Sequence, residues 1–218
     1  YIMECAGDDY WLPGKVKSQI EFMENNPDVG MCYSNARVWN ENKQKFEKNI
    51  SGSAIKSFEF LLTNGNSIPA LTVCLRSNIV KNYICEIKPQ EKNWLMEDYP
   101  MWLYFSHEST MRFIDEVTAT YRLLENSASH SVDVAKQFRF EKSNREIRQF
   151  YANKYNVNVD FEDDAFIKFY IYVNMLKKKY DSNIAKLMRI EYRKSNIRNI
   201  KMFVYYVGSY FSILFTYF

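Results

Sequence analysis

No two of the four cysteines form a C-x-x-C pair. Cys5, Cys32, Cys74 and Cys85 are scattered over 218 residues, which argues against the usual zinc and dithiol redox motifs. Three of them lie in apolar, strand-like surroundings, and the set reads as buried free thiols of a reducing compartment. Net charge is also scarce. A formal +3 is too small to imply a nucleic-acid partner, and no interleaved basic and aromatic motif of the RNA-binding kind occurs. There is no internal repeat, no initiating methionine and no signal-peptide pattern. The chain opens on Tyr1 as though inside a strand and reads as a piece of a longer protein.

What is present is apolar and aromatic. Hydrophobic residues make up 47%, enough for a packed core, and the length suits one domain with an appendage. Charge is unevenly placed. From Ile171 to Lys201, nine Lys or Arg stand against Asp181 and Glu191, a local excess of +7 that leaves the remainder slightly acidic. The 17 residues that follow, Met202 to Phe218, carry no charged side chain. As a helix they would extend about 25 Å at ~1.5 Å per residue, marginal against a hydrocarbon core of ~30 Å. With Tyr, Phe and adjacent Lys and Arg, the segment fits an interfacial anchor on an anionic membrane better than a span; the alternative is packing on protein.

Periodicity predicts the following elements. Pro13 starts a helix whose Val16, Ile20 and Met23 share a face, and Asn25-Asn26-Pro27 stops it. Val29, Met31 and Tyr33 alternate as a strand, Asn40 to Ser53 forms a polar excursion or hairpin, and Ser57 caps a short helix through Leu62. Leu71, Val73 and Leu75 alternate as a second strand. Trp94 to Phe105 is a buried helix, and Met111 to Leu123 is extended. Long helices follow at roughly Val132 to Tyr155, Glu162 to Tyr180 and Asn183 to Lys194, so a boundary falls near residues 125 to 132.

The chemistry-bearing residues are carboxylates in pairs. Asp8 and Asp9 sit in a turn after an apolar run. Adjacent carboxylates there suit one divalent cation that takes its remaining ligands from substrate phosphates; equally, Asp is a favoured turn residue. Glu97 and Asp98 head the helix that follows, where acids are electrostatically favoured, so a helix-start role stands beside a chemical one. Trp11, Tyr99 and Trp102 suit the apolar side of a pyranose ring and equally suit a core.

Taken in order, Gly7-Asp8-Asp9-Tyr10-Trp11, Pro13, Lys15, Asn26-Pro27-Asp28-Val29-Gly30, Glu97-Asp98-Tyr99-Pro100 with Trp102-Leu103, and Phe113-Ile114-Asp115-Glu116-Val117 with Tyr121-Arg122 resemble bacterial family-two glycosyltransferases of the GT-A fold. The resemblance covers roughly residues 1 to 131 and begins at the metal motif. It implies an α/β fold, a mixed sheet flanked by helices and followed by a helical tail. The divisions it suggests are a partial catalytic domain over 1–131 without its amino-terminal nucleotide-binding half, a helical extension over 132–201, and the aromatic tail 202–218. It further implies an inverting, Mg- or Mn-dependent transfer of sugar from a nucleotide-diphosphate donor to a saccharide or lipid-linked acceptor, in surface polysaccharide synthesis. The expected setting is cytoplasmic, peripheral on the inner face of the cell membrane.

Residue by residue, the resemblance makes Asp8 the last acid of a D-x-D-type motif, with Asp9 its neighbour on the donor diphosphate. Asp98 becomes the catalytic base, and Trp11, Glu97, Tyr99 and Trp102 become candidates for the sugar or acceptor pocket. Two departures stand out. Ala6 occupies a position commonly acidic, and Leu124 one commonly His, for which His130 is a possible substitute as metal ligand. The competing expectation is a noncatalytic interaction module whose acidic turns are structural and whose basic, aromatic tail is the working surface.

Overall fold

The computed structural model describes residues 1–124 and 133–211. His130 and residues 212–218 therefore lie outside the described residues. The chain divides into two units, Tyr1–Ser127 with Ile147–Val159 and Ala128–Glu146 with Asp160–Phe218.

The first unit is a mixed five-stranded sheet with helices. Its elements are β1 (Tyr10–Trp11), α1 (Lys15–Asn25), β2 (Val29–Asn40), β3 (Lys45–Ser51), α2 (Phe58–Asn64), β4 (Cys74–Leu75), α3 (Ser77–Ile87), α4 (Asp98–Glu108) and β5 (Thr110–Leu123). The sheet runs β1-β5-β2-β3, with β4 also on β2. β2 and β5 pair in parallel, and the other contacts are antiparallel. β2 is buried along most of its length, as a central strand covered on both faces must be, and its near-continuous apolar start fits that position. Gly30 lies where β2 passes the start of β5: a Cβ there would sit 2.4 Å from Ser109 Oγ and 2.7 Å from Ile79 Cδ1. α2 is capped by Ser57, whose side chain accepts from the Phe60 N–H at 3.1 Å, as expected of a Ser at that position.

The structure departs from the sequence reading in several places. Residues 1–7 form no strand; Ile2 makes a single antiparallel bridge to Leu75. The Leu71 to Leu75 strand shrinks to the two residues of β4, because Ala70–Thr72 closes a 3-10 turn. The helix expected from Trp94 begins only at Asp98, and α3 had no counterpart in the expected elements. Cys32 and Cys74 are buried, but Cys5 and Cys85 are exposed.

The largest surprise is α1. It turns inward Lys15, Gln19 and Met23, while Val16 is exposed and Ile20 only half-buried. The two polar side chains are drawn in by backbone acceptors. The Lys15 amine donates to Gln19 Oε1 at 2.6 Å and to the Val73 carbonyl at 3.2 Å, and Gln19 donates to the Thr72 carbonyl at 2.7 Å. Buried carbonyls need partners, and the irregular stretch before β4 leaves these two for side chains.

α5 (Val134–Lys154) contains the division between the units. Its last turns belong to the first, where Lys154 pairs with Glu86 at 2.5 Å and Trp94 packs edge-on against Phe150 at 5.3 Å. The second unit is helical. α6 (Asp164–Lys178), α7 (Ser182–Lys194) and α8 (Ile200–Gly208) share a core of Phe169, Val173, Leu176, Met188, Met202 and Tyr205. Asp163 caps α6 through the Phe166 N–H at 2.7 Å and also accepts from the Asn196 N–H at 2.7 Å, tying the α7–α8 connection to the start of α6. Among the described residues no helix is long and apolar enough to cross a membrane.

Candidate functional site

Two anchors hold the segment that carries the first acidic pair. Ile2 and Leu75 exchange two backbone hydrogen bonds of 2.9 Å, and β1 is zipped to β5 through Tyr10 and Trp11. Between these anchors the chain turns, with the Asp9 N–H on the Ala6 carbonyl at 3.1 Å. Asp9 then directs its carboxylate at β5, where Oδ1 accepts from the Arg122 backbone N–H at 2.8 Å. The Arg122 guanidinium contacts the Asp8 carbonyl at 3.4 Å and pairs with Glu41 at 3.0 Å. Burial pushes the Asp9 carboxyl above its ordinary value; the Arg122 N–H opposes this and the Asp8 charge adds to it.

The donor set is two carboxylates, hard oxygen ligands of the kind Mg and Mn prefer. Among the described residues no group of three or more His, Cys, Asp or Glu gathers into a metal cage. Two carboxylates suit a cation that takes most of its shell from water and phosphate oxygens. His130, the other candidate ligand, falls outside the described residues.

Asp98 forms the second centre, at the start of α4. Its Oδ1 accepts from the Tyr99 N–H at 2.7 Å and its Oδ2 from the Asn66 amide at 2.8 Å. Asn66 belongs to the turn-rich stretch between α2 and the 3-10 turn, to which the sequence assigned no role. Burial nevertheless pushes the Asp98 carboxyl up despite both hydrogen bonds, and the neighbouring Glu97 charge adds to the effect. An exposed helix-start acid behaves in the opposite way, because the helix terminus favours its charged form. Glu97 itself is exposed and caps nothing with its side chain.

One acidic residue was missed. Glu4 is pushed up by burial first, and then by the charges of Asp98 and Glu97. It thus joins the amino-terminal segment to the Asp98 centre, three carboxylates sharing one electrostatic environment. The sequence shows a single acid within the apolar run Tyr1 to Ala6, but not its nearness to Asp98. Tyr83 on α3 faces the same group. Its phenol is raised by burial and then by Glu4 and Asp98. The residue is only 2% exposed, and its hydroxyl has no hydrogen-bond partner among the described residues.

The aromatic candidates are placed unevenly. Trp11 is partly buried against Ala36, Leu71 and Ala119. Its Nε1 donates to the Leu71 carbonyl at 2.9 Å and to the Glu4 carbonyl at 3.3 Å, and the Lys15 amine lies 4.6 Å from its ring centre. Trp11 therefore links the Asp8-Asp9 turn to Glu4. Tyr99 and Trp102 are fully buried, and the Tyr99 hydroxyl donates to the Leu61 carbonyl at 2.8 Å. They pack in the core of the first unit and present no open face to a ligand, although Trp102 Nε1 has no hydrogen-bond partner among the described residues.

No protein-family model matches the chain. It is similar to uncharacterized proteins of Mycobacterium bovis and of two strains of Mycobacterium tuberculosis, each 29% identical over 73 residues. That match takes in 29% of this chain and 21% of each relative, so the chain spans a minor part of the curated relatives it matches.

Proposed function

We propose that the chain is the carboxyl-terminal part of a GT-A glycosyltransferase, moving a sugar with inversion from a nucleotide-diphosphate donor to a saccharide or lipid-linked acceptor. The observation that carries this reading is the pairing of two distinct acidic centres through residues 4–11. Asp8 and Asp9 lie at one end beside Arg122, and Glu4 at the other shares the environment of Asp98. Inverting transfer asks for this division of labour. One side of the reacting carbon needs a base for the acceptor hydroxyl, and the other needs stabilisation of the departing diphosphate.

Asp8 and Asp9 would hold the divalent cation, which supplies charge stabilisation to the diphosphate when bound. Asp98, held by Asn66 and the Tyr99 N–H, would accept the acceptor's proton on a carboxylate oxygen. Its burial makes it a stronger base than an exposed aspartate, which brings its basicity nearer the working pH. Glu97 opposes ionisation of Asp98, and Asp98 and Glu97 together oppose that of Glu4.

Paired variants of the full-length protein test the reading, with donor-binding isotherms in Mn measured beside transfer rates. Asp8→Ala should weaken metal-dependent donor binding and turnover together. Asp98→Asn should keep donor affinity and lose ~100-fold or more in turnover, the usual worth of a general base. Undiminished transfer by Asp98→Asn removes it as the base. Absence of any metal-dependent nucleotide-sugar binding favours the noncatalytic module.

A further inference from the structure

α8 has two apolar faces, and its own unit uses only one. Met202 and Tyr205 enter the core, with Gly208 and Ser209 buried behind them. On the opposite side, Ile200, Phe203, Val204 and Val207 recur at helical spacing and all lie open, Ile200 at 84% and Phe203 at 55% exposure. Phe211, just past the helix, is exposed as well. A helix that packs on a single core shows polar residues on its outer side. Here the outer stripe is entirely apolar.

The surroundings of the stripe are cationic. Arg198 and Lys201, with Asn199, line an open hollow around Ile200 and Phe203. The preceding stretch supplies the sequence's +7 excess, and no acidic residue occurs between Glu191 and Phe218. Several of the basic groups are engaged within the unit: Arg189 donates to the Ser209 carbonyl at 2.9 Å and lies over Tyr210, Lys177 lies over Tyr205, and Arg198 donates one N–H to the Arg193 carbonyl at 3.0 Å and lies over Tyr192. Lys201 is exposed beside the stripe.

From this charge complementarity we infer that the outer face of α8 docks on a lipid bilayer bearing anionic headgroups, its apolar stripe at the acyl boundary and Lys201 and Arg198 among the headgroups. An apolar face alone would suit several partners. A stripe of Ile, Phe and Val bordered by cations is the pattern of an interfacial helix. The anchor is then a surface of a folded unit and not a detachable tail. Deleting residues from Met202 onward would remove core side chains along with the stripe, so the decisive variants change only outward residues.

Sedimentation of the full chain with phosphatidylglycerol-containing and with pure phosphatidylcholine vesicles tests the inference. The wild type should partition onto the anionic vesicles, less so as salt is raised. The triple variant Ile200→Ser, Phe203→Ser, Val207→Ser should lose at least about tenfold in partitioning, and Lys201→Glu about fivefold or more. The single variant Phe203→Trp offers a readout that tolerates any loss of fold in the triple variant: against the four native tryptophans, the emission difference between Phe203→Trp and wild type should shift blue on anionic vesicles and be quenched by brominated acyl chains. Equal binding by wild type and triple variant overturns the inference. So does an emission difference that neither shifts nor is quenched on those vesicles, or a dimer that the triple variant dissociates without any vesicle binding by the wild type.

Discussion

Lys15 gives the sharpest test of the packing around the site. It is 2% exposed, and burial pushes its amine from 10.5 down to about 8, with Cys74, Cys32 and Cys5 nearby acting weakly the other way. At roughly 1.4 kcal/mol per pH unit, the charged form is disfavoured by about 3 kcal/mol relative to the unfolded chain. Solvent screening takes little from this figure at so buried a position. Between about pH 8 and 10.5 the unfolded chain keeps a proton that the folded chain has released, so stability rises with pH across that window. Below pH 8 both states are charged and the cost is fully present. Lys15→Met removes the titration, but it also leaves Gln19 Oε1 and the Val73 carbonyl without their donor, at about 1–3 kcal/mol each. The variant should therefore lie near or below the wild type at pH 7 and fall further behind as pH rises, by about 2 kcal/mol between pH 8 and 9.5. Urea unfolding followed by far-ultraviolet circular dichroism at a series of pH values measures the gap. A gap that stays constant from about pH 7 to 9.5 would refute the desolvated amine.

Two further variants probe the remaining observations. Glu4 has a carboxyl raised by burial and by Asp98 and Glu97, so the folded state holds its proton more tightly and this group's contribution to stability falls as pH rises; Glu4→Gln should raise the melting temperature more at about pH 7 than at about pH 4, and an equal change at both would contradict the shared environment. Gly30→Ala drives a methyl against Ser109 and Ile79 and should cost about 1–3 kcal/mol in urea unfolding, whereas an unchanged midpoint would mean that β2 and β5 separate easily at that crossing.

The sequence was most legible where one period dominated. β2, β5, α6 and α7 announce themselves by alternation or by long amphipathic runs, and Ser57 and Asn25-Asn26-Pro27 mark ends that the structure keeps within a residue or two. It was least legible where the backbone is irregular. The 3-10 turn at Ala70–Thr72 frees two carbonyls that draw in Lys15 and Gln19, so the buried face of α1 is set by tertiary hydrogen bonding and not by its hydrophobic residues. For the same reason Tyr1 to Ala6, apolar enough for a strand, remains a bridged loop. At the candidate site, Asp8, Asp9 and Asp98 stood out as acids in pairs. Glu4 and Asn66 did not, because their significance comes from a fold that brings positions 4, 66 and 98 together, and no local pattern encodes that.

The acids of this unit also bear on the choice between an enzyme and a module with structural turns. Acids kept for structure are usually hydrogen-bonded or paired so that their charged form is favoured, as Glu41 is by Arg122 and Glu86 by Lys154. Asp9, Asp98 and Glu4 run the other way: each is held where burial opposes ionisation and where a neighbouring acid makes it worse. Tyr83 adds a buried hydroxyl with no partner among the described residues to the same neighbourhood. Such an arrangement lowers the stability of the fold even though Asp9 and Asp98 are hydrogen-bonded, and groups held against their charged form concentrate at working sites. A cation at Asp8 and Asp9 would relieve the first centre, and the acceptor's hydroxyl brought to Asp98 would relieve the second. The two acidic centres thus differ from the structural acids of the same unit in the direction of their energetics, which supports the proposed catalytic reading over the proposed module.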